Sequence, residues 1–447
     1  MIMEKYYKAR CCGIVDLKSQ KESVQEYLRL NGKNNIPVLY LNDEEKDFQE
    51  LSYKTKARLC KIVQELGINK IIISTEPKAH TAYIKWAIKE KLDFIVDKPI
   101  FTETYENVLK KGKSQLYEKY ILASEKIEDN GVIASVMMPR RLHPAIMYIH
   151  DYLLHFICNY KVPITHINII HGEGMWNMPN EFFTRENHPY KYGYGAYFHT
   201  GYHFIDLLCH FLSINKNIEK ENYDKIQFAL SYTRPKDICR IFGEDSYNRL
   251  IDVHNLNSFV DKMDKMGEVD WQLIVNFCKD GIVCASGNLD MQQSNYSARN
   301  SKLLPKDVYK DNGRIYHEFI SIEVAHLLSI KLMRMTIGNQ PHKEKYNNKQ
   351  ENFVIQVFRN QNIVGGKAFE EIIVPYNMNI TINEDNISMN LGDVARYNVL
   401  YDWLFKRAEM TSFSTHKDAM FLFSEIHTLL ANLHNSDQTL GCSEVTI

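Results

Sequence analysis

Between residues 10 and 99, short apolar runs alternate with stretches whose apolar positions recur every three or four residues. That alternation is the pattern of β-α-β units around a parallel sheet. Residues 11–15 form the first run, which ends at Asp16. Leu59, Ile62, Val63 and Leu66 fall at i, i+3, i+4 and i+7, and Gly67 supplies a helix stop. Ile71, Ile72 and Ile73 then make a β-branched strand, Tyr83, Trp86 and Ala87 a helix face, and Phe94, Ile95 and Val96 a further strand. Residues 102–129 read as polar and helical, Asn130-Gly131 as a turn and 132–138 as one more strand. The spacing predicts a doubly wound α/β domain.

Near Arg141 the texture changes. Longer alternating segments at 165–170, 271–285 (around Lys279-Asp280-Gly281), 315–333 and 353–374 predict an antiparallel or mixed sheet. One face of it should be packed and the other free for a partner subunit. Two helices follow, at 394–409 and 416–434, the second opened by Ser414 and Thr415 as capping residues. The polar stretch 341–350 reads as a surface loop. The chain therefore divides into a first domain at 1–140 and a second at 141–447.

Composition supports two packed domains and narrows the partners. With 447 residues, 45% hydrophobic and 24% charged, the chain exceeds what one core fills and carries too much apolar surface to stay disordered. Lys plus Arg number 54 against 55 Asp plus Glu, so no global field recruits nucleic acid or an anionic membrane. The N-terminus lacks an apolar segment of signal-peptide length, which makes a cytoplasmic protein the expectation. Nine scattered cysteines read as reduced thiols.

Three constellations could carry chemistry. Thr75, Pro77 and His80 follow a strand, where open α/β sheets place their ligands, although the plainer account is a turn capped by Thr75 and started by Pro77. Asp97, Lys98 and Pro99 stand at the next strand end, where a lysine can hold its ammonium in the crevice and donate to a carbonyl or hydroxyl oxygen. A solvated lysine paired with Asp97 is the commoner case. The third runs from Gly193 through Gly195 and His199 to Tyr202, His203 and Asp206, entering an apolar helix. Asp206 follows His203 at i+3, so the acid can orient the imidazole and leave His203 a proton acceptor. A buried core histidine is the alternative, and a zinc reading of His199 with His203 lacks a third ligand.

Together, T-x-P-x-x-H, a strand ending in an acid-Lys-Pro, and a glycine-rich approach to H-x-x-D resemble the Gfo/Idh/MocA oxidoreductases. Arg141 with Pro144 resembles that family's R-x-x-P, and the last helix its closing helix. The resemblance implies a Rossmann-like doubly wound parallel sheet followed by an α+β domain with a large open mixed or antiparallel sheet. It also implies NAD or NADP as cofactor and a sugar, cyclitol or sugar derivative as substrate. Lys98 and His203 become the catalytic pair. Asp16, Thr75, Pro77, His80, Asp97 and Pro99 would line the cofactor, and Arg141, His199, Tyr202 and Asp206 the substrate. Asp16 favours NAD, since a carboxylate accepts from the ribose 2′-hydroxyl and repels a 2′-phosphate. A homo-oligomer is expected.

The sequence departs from the family pattern at three places. Asp97 replaces a glutamate, and His199 stands where many members carry an aspartate. The glycine-rich phosphate turn belongs about 20 residues before the ribose acid, yet Asp16 is the sixteenth residue, so the first β-α unit is expected to be lacking. A start further upstream, a truncated product and a loss of ordinary dinucleotide binding each account for that. The last leads to a second reading, a non-catalytic descendant that senses a ligand or scaffolds a partner.

Overall fold

The computed structural model describes residues 2–7, 9–47, 49–185, 188–218, 223–299, 313–337, 353–382 and 384–447. The polar stretch 341–350 lies outside the described residues. The chain forms two compact units, each assembled from three segments. The first takes residues 1–103, 116–142 and 377–417; the second takes 104–115, 143–376 and 418–447.

In the first unit, five parallel strands fall into two sheets. β1 (Ile14–Leu17) pairs with β2 (Val38–Leu41), while β3 (Lys70–Ile73), β4 (Asp93–Asp97) and β5 (Ala134–Met137) make a sheet in that order. A doubly wound sheet of strand order 3-2-1-4-5-6 separates into these two groups when strand 1 is left out. The five strands therefore occupy the places of strands 2 to 6. β1 starts three residues later than its apolar run and holds Asp16 as its third residue. The helix Tyr53–Leu66 buries Leu59 and ends at Gly67, whose φ of 61° is the left-handed conformation a helix stop needs.

The apolar centre of β4, Phe94, Ile95 and Val96, is fully buried. Residues 377–417 join this unit as a hairpin, β14 (Asn377–Ile382) with β15 (Asp385–Asn390), and the helix Leu391–Phe405. Their end is fastened by named groups: Val136 N–H donates to Thr411 O at 3.0 Å and Ser135 Oγ lies 2.8 Å from Thr411 Oγ1.

The second unit is built on nine strands in the order β13-β12-β11-β10-β6-β9-β8-β7-β16. These are β6 (His166–Gly172), β7 (Lys225–Thr233), β8 (Asp270–Lys279), β9 (Ile282–Gln292), β10 (Ile315–Val324), β11 (Leu328–Ile337), β12 (Phe353–Arg359), β13 (Phe369–Val374) and β16 (Leu440–Thr446). Every pairing is antiparallel except β6 with β9, so the sheet is mixed. The runs at 271–285, 315–333 and 353–374 each resolve into two strands. β8 and β9 turn at Asp280-Gly281, both with positive φ, the two-residue hairpin that matches strand twist.

Alternation sorts the sheet's faces. Leu273, Val275, Leu289, Ile320, Ile322, Leu332, Ile355 and Val357 are buried, whereas Gln272, Asn288, Asp290, Lys331 and Gln356 stand on the wetter face. The helix Tyr202–Leu212 lies on the buried face: a Cβ at Gly287 of β9 would sit 2.9 Å from Leu208. The helix Lys417–Ser436 covers the β16 end, where a Cβ at Gly441 would meet Leu433 at 2.7 Å. Among the described residues, no helix is long and apolar enough to cross a membrane.

Candidate functional site

The first unit gathers its candidate residues at the C-terminal ends of β3 and β4. Thr75 is exposed in the turn after β3, and Asp97 and Lys98 are half-buried at the end of β4. Asp97 Oδ1 accepts the Lys98 backbone N–H at 2.8 Å, so the carboxylate holds the peptide rather than standing free in the crevice. His80 is fully buried, with Nδ1 2.9 Å from Pro99 O and Nε2 3.2 Å from Thr75 O. The two motifs that are separate in sequence are thereby joined through one imidazole. Burial lowers the proton affinity of His80, against the opposing pull of the Pro99 carbonyl and the Asp97 charge. Pro77 opens the short turn that leads into the His80 helix. Asp16, on β1, is half-buried and accepts from Leu17 N–H at 2.7 Å.

Arg141 is buried and committed within its own unit. Its Nη1 donates to Thr415 Oγ1 at 2.7 Å and Met410 O at 3.4 Å, and its Nη2 to Thr415 O at 3.2 Å. It clamps the end of the 377–417 segment.

In the second unit, the glycine-rich approach folds as a π-helical turn, Tyr197–Gly201, running into the helix Tyr202–Leu212. Single π turns inside helices recur at functional sites. Two glycines make the approach possible. A Cβ at Gly195 would lie 2.0 Å from Glu268 O, and one at Gly201 would lie 2.6 Å from the Trp271 ring. Tyr202 and Asp206 are fully buried, while His203 is half-buried. From Tyr202 to Cys209, His203 is the only residue that is not buried. His199 is buried, its Nε2 2.8 Å from Pro189 O and its ring stacked on His188 at 4.8 Å between centroids.

Beneath this turn lies a polar cluster that the sequence motifs did not announce. Glu173, just past β6, accepts from Thr200 Oγ1 at 3.1 Å and Gln293 Nε2 at 3.3 Å, with His171 Nε2 at 3.7 Å. Gln293 is held in turn by the Tyr190 hydroxyl and by a 2.6 Å bond from its backbone N–H to Asp270. His171 Nδ1 lies 3.3 Å from Glu318 Oε2, and its ring packs 4.4 Å from Phe204. Burial alone would raise the Glu173 carboxyl, but His171 and the Arg314 guanidinium outweigh it and hold the group well below the usual carboxylate range.

The available signal was His171-Gly172-Glu173-Gly174 at a strand end. Gly174 has φ +52°, and a Cβ at Gly172 would lie 2.1 Å from Asn295 and His317. A second buried acid, Glu268, accepts from Tyr105 Oη at 2.5 Å and Tyr197 N–H at 2.6 Å, and burial raises its proton affinity. It braces the π turn.

A nicotinamide dinucleotide on such a sheet is gripped at its pyrophosphate by a glycine-rich turn at a helix N-terminus. Among the described residues, none of the turns following β1 to β5 contains glycine.

No family model matches the sequence, and no curated protein matches it. Solved structures do share the fold. Levoglucosan dehydrogenase in complex with NADH and levoglucosan aligns over 100% of this chain and 94% of its own, with a TM-score of 0.56 at 12% identity. An aldose-aldose oxidoreductase from Caulobacter crescentus complexed with glycerol aligns over 100% and 95%, with a TM-score of 0.52 at 10% identity. An inositol dehydrogenase homolog from Azotobacter vinelandii, complexed with NADH and myo-inositol, aligns over 98% of each chain, with a TM-score of 0.51 at 11% identity. The chain has the fold of the Gfo/Idh/MocA-type sugar and inositol dehydrogenases.

Proposed function

We propose that the protein is an oxidoreductase acting on a hydroxyl or ketone of a sugar, cyclitol or sugar derivative, with NAD or NADP as its redox partner. The observation that carries this reading is His203, the one residue not buried in the first two turns of an otherwise sequestered helix. A half-buried titratable residue on a rigid, largely buried helix suits proton transfer at a fixed place. Lys98, at the end of β4, supplies an ammonium to hold and polarise the substrate oxygen. His203 takes or returns the proton of that oxygen. A nicotinamide, when bound, supplies the hydride chemistry. Asp16 would accept from the adenosine ribose, with NAD favoured by its charge.

The alternative is a ligand-sensing or scaffolding protein that keeps the fold without the redox step. Titration calorimetry with NADH and NADPH, followed by steady-state assays on sugars and cyclitols, separates the two. Turnover in the wild type, falling roughly 100- to 10,000-fold in Lys98→Met at an unchanged thermal midpoint, is the expected result. A fully active Lys98→Met protein would sink the catalytic assignment. Self-association through the wetter face of the nine-stranded sheet is proposed with it, since the apolar Ile274 and Phe358 lie exposed there among Gln272, Asp290, Lys331 and Gln356. Light scattering that finds a monomer at micromolar concentration would reject it.

A further inference from the structure

The peptide units around Lys98 are fastened on both sides. On the N-terminal side, Asp97 Oδ1 accepts the Lys98 N–H at 2.8 Å. On the C-terminal side, the Pro99 carbonyl lies 2.9 Å from Nδ1 of His80. The other face of the same ring meets the Thr75 carbonyl at 3.2 Å, in the turn that follows the neighbouring strand. His80 itself is fully buried as the first residue of the helix His80–Lys89. A buried imidazole with both nitrogens spent on carbonyls of its own chain is not placed to touch a ligand. What it does touch are the backbones of the two turns that carry Thr75 and Lys98.

A neutral imidazole has one N–H, and the shorter contact assigns it to Nδ1 donating to Pro99. We propose that His80 is a positioning residue, whose Nδ1–H bond to Pro99 O fixes the turn that presents the Lys98 ammonium. This rests on the proposed oxidoreductase reading for its effect on turnover, and on geometry alone for its effect on Lys98. Asparagine and glutamine divide the two contacts, because the Asn side-chain nitrogen reaches about as far as Nδ1 and the Gln nitrogen about as far as Nε2. His80→Asn therefore keeps the bond to Pro99, and His80→Gln gives it up.

The test compares wild type, His80→Asn and His80→Gln below all three thermal midpoints. The NMR titration of lysine labelled at Cε is followed, with the Lys98 signal assigned by its loss in Lys98→Met. The expected result is a moved Lys98 titration in the Gln variant and a wild-type one in the Asn variant. Turnover should follow the same split, with kcat about 100-fold lower in the Gln variant, KM little changed, and kcat largely restored in the Asn variant. If both variants keep the wild-type Lys98 signal, or both move it equally, the inference falls whatever the activity.

A wild type without turnover on sugars or cyclitols, whose Lys98 signal still moves only in the Gln variant, would leave the clamp standing and overturn the oxidoreductase reading. Should the variants fail to fold, 15N spectra of the native imidazole decide. A protonated Nδ1 supports the clamp, and a bare Nδ1 overturns it.

Discussion

The two units hold themselves together by different means. Strands in the second unit run up to ten and eleven residues and share one sheet, with a largely apolar buried face. The parallel strands in the first are four or five residues long and split between two sheets, and Ile72 in the middle of β3 is 60% exposed. There the fastening passes to individual groups: Arg141 on the 410–416 turn, Ser135 on Thr411, His80 between two turns, and Tyr7 against Tyr397, Tyr401 and Phe405. A long sheet spreads its stability over many equivalent contacts, whereas a short-stranded one concentrates it in a few polar clamps. The proposed catalytic pair follows the same division, with Lys98 on a clamped turn and His203 on a packed helix.

That contrast can be broken at its strongest point by Gly195→Ala. The added Cβ would lie 2.0 Å from the Glu268 carbonyl, between two stretches of backbone that cannot swing away. The expected loss is about 3 kcal/mol or more in denaturant unfolding, and a variant as stable as wild type would show that the π turn is not tightly seated. A paired measurement sharpens the contrast between the sheets. Ile355→Ala in the buried face of β12 should cost about 3 kcal/mol, while Ile72→Ala should stay within about 0.5 kcal/mol. Equal losses would contradict the account of β3 as a half-wet strand.

A smaller loss than those at Gly195 and Ile355 concerns Glu173. Because its folded carboxyl titrates below the ordinary value, it contributes stability that is present above the unfolded value of about 4.3 and is lost as pH falls through the folded one. Glu173→Gln should therefore be less stable than wild type near neutrality, by about 1–2 kcal/mol, with the gap closing in strong acid. A gap that is constant from neutral to acid pH would assign the loss to shape alone.

Much of this was legible because period-two alternation is loud in long strands: β8 to β13 all overlap stretches that read as strand, although β9 and β11 run past them. The helix of His203 was legible from its apolar run and the glycines before it. The division of the chain was less so. The hairpin of β14 and β15 reads, residue by residue, like more of the strands before it, and nothing local says that 377–417 joins the first unit. β2, β7 and β16 carry no turn signal strong enough to single them out. The Glu173 cluster was hidden for another reason: a charged residue at a strand end reads as solvated. Its partners Thr200 and Gln293, and Glu318 beyond His171, lie 27 and 120 residues away and further. Sequence spacing is silent on such contacts.

The chain passes from one unit to the other five times, at residues 103, 115, 142, 376 and 417. Synthesis therefore cannot finish the first unit before starting the second. β5 and Arg141 emerge early, but their partners Thr411 and Thr415 follow only after residues 143–376 have been made, on the order of 10–50 s at ribosomal speeds. During that interval the newborn first unit exposes an unfinished edge while the large sheet is assembling beside it. The first unit can close only once residue 417 has been made, and a nonsense codon anywhere before it leaves both units open.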